Sequence, residues 1–155
     1  MSKEVMRRQA SDNPYLHKDF HGALSAGIEY LHRNFGEDAV REYLLTFARS
    51  YYAPLARAIE GRGLVALREH LEKVYRTEGV DFRVRFSLDE LVLEVDACPA
   101  VSHMRRHGYP VARLWRETTR TVNEAICEGT PYAAELLEYD EETGRSVQRF
   151  ARARP

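Results

Sequence analysis

At 155 residues the chain is long enough to bury a core without disulfide or metal staples, and 44% hydrophobic with 30% charged residues is ordinary for a globular domain. Its 23 basic and 24 acidic residues are interleaved to a net charge of −1, which excludes the clustered positive charge of a nucleic-acid footprint. No apolar run approaches the roughly 18 residues of a membrane helix, the start MSKEVMRRQASDN lacks an apolar signal stretch, and two cysteines are too few for a secreted scaffold, so a cytoplasmic protein with reduced thiols is expected.

Residues 1–13 read as a polar, flexible leader ahead of a single domain over 14–153. Asn13-Pro14 reads as a helix start, with Asn as cap and Pro in the first turn. Leu16, Phe20, Ala23, Leu24, Ile28, Leu31 and Phe35 then recur at helical intervals until Gly36. Glu37 and Asp38 favour the amino end of a second helix, whose stripe is Val40, Tyr43, Leu44, Phe47 and Tyr51 until Pro54 breaks or kinks it. "GRG" (61–63) reads as a turn, and Leu64, Leu67, Leu71 and Val74 predict a third helix closed by Gly79.

The period then changes. In "DFRVRFSLDELVLEV", Phe82, Val84 and Phe86 alternate with Arg83 and Arg85, and Leu91, Leu93 and Val95 follow, the pattern of a hairpin. A short helix is predicted from Pro99 to His107, stopped by Gly108. A longer one opens at Pro110, with a stripe of Val111, Leu114, Trp115, Thr118, Val122, Ala125 and Ile126. "PYAAELLEYD" and "RSVQRFARA" read as two more strands around "EETG", whose glycine is placed for positive φ. The order ααα-ββ-αα-ββ predicts an α+β fold: a four-stranded antiparallel sheet covered by helices.

The stretch "VDACPAVSHMRRHGYP" (95–110) carries most of the candidate chemistry. Cys98 directly precedes a helix start, beside unpaired backbone amides and the positive end of the helix dipole, where a thiolate is favoured and a cysteine can serve as nucleophile. The competing reading is a small buried residue filling a strand-to-helix corner. His103 is the nearest candidate base, although five positions along a helix it points away from position 98. His103 and His107 share a face at a two-histidine spacing, without a third metal ligand; no metal or cofactor is expected. "YLHKDFH" (15–21) repeats the spacing at His17 and His21, on the flank of the first helix's stripe. In "ETTRTVNEAICEGT" (117–130), Thr119, Asn123 and Cys127 fall on one line beside the apolar stripe, lining a small polar pocket or packing helix on helix. Glu117, Arg120, Thr121 and Glu124 read as a solvated ladder of i, i+3 and i, i+4 pairs. Phosphate-loop, dinucleotide, nucleophile-elbow, zincin and C-x-x-C signatures are absent.

The helical first half, the hairpin running into "ACPAVSHMRRHGYP", the helix "ETTRTVNEAICEGTPY" and the closing pair "AAELLEYD…GRSVQRF" together resemble the 2-aminothiazoline-4-carboxylate hydrolase family. More distantly, they resemble vinyl-reductase-type small-ligand domains and the TRAPP-like fold. The resemblance implies an α+β ligand-binding fold and hydrolytic opening of a cyclic, amidine-like C–N bond. It carries over to Cys98, then to Asn123 and Cys127. It departs at Gln148 and Arg149, where the family often has a cysteine. The expectation is a small hydrolase acting on a carboxylated heterocycle or amide, with Cys98 as nucleophile or polarising group and His17, His21 or His103 as base. Thr119, Asn123 and Cys127 would contact the substrate. The alternative is a non-catalytic ligand-binding or sensor domain; a third reading is a homodimer formed through Tyr43, Tyr51 and Tyr52 of the second helix.

Overall fold

The computed structural model describes residues 20–154. The elements run α1 (Phe20–Phe35), α2 (Glu37–Tyr51), α3 (Ala53–Arg62), α4 (Leu64–Glu78), β1 (Phe82–Phe86), β2 (Glu90–Val95), α5 (Pro99–Arg106), α6 (Glu117–Cys127), β3 (Tyr132–Tyr139) and β4 (Ser146–Arg152). The fold is α+β as the sequence predicts, with one four-stranded antiparallel sheet and helices packed on its inner face. The Asn13-Pro14 helix start, the leader over 1–13 and His17 lie outside the described residues. Among those described, no helix is long and apolar enough to cross a membrane.

Two antiparallel hairpins, β1–β2 and β3–β4, join through β2 and β4, giving the order β1-β2-β4-β3. Alternation decides which side chains face the helices. Leu91, Leu93 and Val95 point inward beside Phe150, Gln148 and Ser146 of β4, their register partners. Arg83 faces out and pairs with Glu94 (3.1 Å) and Asp96 (3.0 Å). One inner row runs Val84, Leu93, Gln148, Leu136 across all four strands. Gln148 is therefore a polar side chain, 2% exposed, in the middle of an apolar sheet face.

Three expectations need correction. Four helices, not three, precede the sheet, because Pro54 opens α3 instead of only ending α2. A proline in the first helical turn forfeits no hydrogen bond, and Ile59 anchors the new helix in the core. Gly61 and Arg62 belong to that helix, leaving Gly63, at φ +66°, as the joint with α4. Pro110 does not open a helix. Ser25 of α1 donates to the Pro110 carbonyl (2.7 Å) and accepts from the Ala112 amide (2.8 Å). Three-residue turns from Ala112 to Trp115 and from Leu114 to Glu117 follow, and α6 begins at Glu117. Finally, the α2 stripe is two stripes. Val40, Leu44 and Ala48 are core, while Tyr43, Phe47 and Tyr51 form a ridge in solvent, with Phe47 stacked on Tyr51 at 5.3 Å.

Candidate functional site

Cys98 stands at the strand-to-helix corner, as the sequence predicts. Its amide donates to the Thr143 carbonyl and its carbonyl accepts from Ser102, both at 3.0 Å, so the β3–β4 loop docks on the start of α5. Arg105 clamps the same loop, donating to the carbonyls of Glu142 (2.6 Å) and Glu141 (3.0 Å). The ionisation expected of Cys98 does not follow. Part of the residue reaches the surface, yet burial of the thiol pushes its pKa up. The Val101 amide, the Trp115 side chain and the Ala100 amide pull the other way, and Glu78 opposes them. Desolvation outweighs these amides at the helix end, so burial favours the thiol over the thiolate.

The histidines occupy separate places. His21 meets Trp115 edge-on at 6.4 Å, so α1 approaches the Cys98 corner through the indole that contacts the sulfur. His103 packs against His107 with ring centroids 4.1 Å apart, and the His107 ring Nδ1 lies 2.9 Å from the His103 carbonyl. Among the described residues, no group of three or more His, Cys, Asp or Glu side chains is arranged to hold a metal ion.

The line on α6 divides. Thr119 and Asn123 border a cavity of about 120 Å³, together with His70, Val74 and Tyr75 of α4 and Gln148 of β4. Cys127, one turn further, is buried in the core, and burial raises its thiol to about 12. Inside the cavity wall, Asn123 Nδ2 donates to Gln148 Oε1 at 2.8 Å. Gln148 Nε2 donates to Ser146 Oγ (3.0 Å) and to the Tyr75 hydroxyl oxygen (3.3 Å). Burial raises Tyr75 to about 12, against the lowering effect of its Gln148 hydrogen bond, so the phenol stays protonated. Burial lowers His70 below its ordinary 6.5, and Lys73 lowers it further, leaving a neutral imidazole edge-on to Tyr52 at 5.9 Å. His70, Tyr75 and Gln148 were not among the site candidates. Gln148 carried a readable signal: in "SVQRF" it holds an inward position two residues before Phe150, where an apolar side chain is the rule.

Glu117 corrects the solvated-ladder expectation. Its pairing with Arg120 (3.7 Å) and Thr121 (2.6 Å) is present, but the side chain is 0% exposed. Arg41 of α2 (3.8 Å) and Arg116 (3.8 Å) approach the same carboxyl, and Arg41 also reaches Glu124 at 2.9 Å. The group ties α2 to α6. A larger groove of about 340 Å³ runs past Arg116 and Arg120 towards β3. Its cations are already committed, Arg116 to Glu141 (2.8 Å) and Arg120 to Glu124 (3.6 Å), so the smaller cavity, with its buried amide network, is the better candidate.

No family model and no curated protein matches the chain. The functional reading therefore rests on the residues and their geometry.

Proposed function

We propose that this chain is a small-ligand-binding α+β domain whose ligand occupies the cavity between α4, α6 and β4. The observation that carries the reading is Gln148. A carboxamide in the middle of an apolar sheet face costs desolvation unless its hydrogen bonds are supplied. Here Asn123, Tyr75 and Ser146 supply them directly beside a cavity. A polar group kept at such a place, with converging polar neighbours and an apolar surround, is the pattern of a binding site. The vinyl-reductase-type resemblance agrees with this reading.

Hydrolysis of a C–N bond is the second reading, and one observation favours it: a neutral imidazole, His70, borders the cavity beside two carboxamides, as a general base would. Cys98, held as a thiol, gives the nucleophilic version little support. A cytoplasmic location and self-association through Tyr43, Tyr51 and Tyr52 go with either reading.

The test is calorimetric titration of the full chain with a panel of small cyclic amides, followed by NMR of the recovered ligand. Binding that disappears in Thr119→Phe and Val74→Phe, each with an unchanged circular-dichroism spectrum, is the expected result. A ligand recovered unchanged supports the binding domain, and a ring-opened product makes it a hydrolase. Binding that is indifferent to both variants refutes the cavity as the site.

A further inference from the structure

The proposal above leaves the ligand's chemistry open, and the cavity wall narrows it. Its apolar part is Leu71, Val74, Val122 and Ile126. Its polar part is a set of groups that each offer hydrogen bonds without charge. Asn123 spends one Nδ2 hydrogen on Gln148 and keeps a carbonyl oxygen and a second N–H. Tyr75 accepts from Gln148 and keeps its own O–H to donate. His70, as a neutral imidazole, has one donor and one acceptor. Among the described residues no arginine or lysine borders the cavity; the charged group that acts on His70 is Lys73, exposed on α4.

A carboxylate placed here would exchange its hydration for a few neutral donors, with the Asn123 carbonyl oxygen among its neighbours. The cleft is partly open, with Val74 at its rim 39% exposed, but an ion lodged against Asn123 and Gln148 at its floor without a counter-charge is disfavoured. A cation would meet the same difficulty. An uncharged ring bearing adjacent N–H and C=O groups fits instead, because its edge can pair with the carboxamide of Asn123 through two hydrogen bonds. The cavity volume of about 120 Å³ admits a small ring with a short substituent.

We infer that the cavity selects an uncharged cyclic amide or urea, held edge to edge by Asn123 between the α4 and α6 side chains, and rejects carboxylated rings. This rests on the binding reading above, and it departs from the carboxylated substrate that the hydrolase resemblance implies.

The probes are 2-pyrrolidinone, 5-oxoproline amide and 5-oxoproline, titrated calorimetrically into the full chain at pH 7.5. The last two are near-isosteric and differ in charge. The amide is expected to bind at least about tenfold more tightly than the acid, as burial of an unpaired carboxylate requires. Asn123→Asp, checked by circular dichroism, is expected to weaken the amide and 2-pyrrolidinone by a similar factor. Thr77→Val, exposed on α4 and outside the cavity wall, should leave both nearly unchanged. Tighter binding of 5-oxoproline, lost in Thr119→Phe or in Lys73→Met, would overturn the inference while leaving the cavity a binding site. If none of the three binds and native mass spectrometry finds no retained small molecule, the binding reading itself falls.

Discussion

Gly144 closes the β3–β4 loop at φ +70°, and Gly144→Ala tests how the Cys98 corner is built. A methyl group there would overlap Cys98 Cβ and stand 3.2 Å from both the Cys98 amide nitrogen and Val101 Cγ2. The corner has little room to yield, because Cys98 is bonded to Thr143 and Ser102, and Arg105 holds the carbonyls of Glu141 and Glu142. Left-handed backbone costs an L-residue roughly 1–2 kcal/mol, and an extra methyl in a packed site roughly 1–3 kcal/mol. The expected loss is thus about 2–5 kcal/mol. Gly79→Ala is the control: φ is +67°, and nothing lies within 4 Å of the added carbon, so only the backbone cost of roughly 1–2 kcal/mol applies. Urea unfolding followed by circular dichroism, with both variants at equal slope, measures the difference. If the two substitutions cost the same to within about 0.5 kcal/mol, the close approach of loop and helix is wrong.

Three further outcomes are expected. At pH 8, iodoacetamide should alkylate Cys98 and Cys127 at least about tenfold more slowly in the folded protein than in urea, since burial raises both thiols; equal rates at Cys98 would restore the nucleophile. Glu117→Ala should cost about 3 kcal/mol, the low end for a broken buried ion pair because its arginines reach water, and a loss under about 1 kcal/mol would show that the α2–α6 tie is idle. The folded pKa of His70 lies below 6.5, so the unfolded chain binds the proton more readily. Stability should fall as pH drops through about 6.5 towards the folded pKa, then level off. His70→Asn should flatten that part of the pH–stability curve, and an unchanged curve would mean that the imidazole is not desolvated.

The legible part of the candidate cavity was its α6 face. Thr119 and Asn123 share a helical line, and the cavity lies along it, because a helix face is set by 3.6-residue periodicity and needs no partner to be read. Cys127 is on the same line but passes into the core, since the packing that covers one turn of a helix need not cover the next. Gln148 was visible as an irregularity in strand alternation, yet its meaning depended on Asn123 and Tyr75, residues 25 and 73 positions away. His70 had no such signal, because a histidine beside a helix stripe reads the same whether or not another element covers it.

The sequence by itself determined the α+β class, the two hairpins and the positive φ of Gly144. Each of these depends on a residue and its near neighbours along the chain. Only the tertiary structure decided that Glu117 is buried, that burial pushes the Cys98 thiol up, and that Gln148, Asn123 and Tyr75 meet beside a cavity. Solvation explains the division: whether a polar group is charged, paired or hidden depends on which distant segments displace its water, and local periodicity does not encode that.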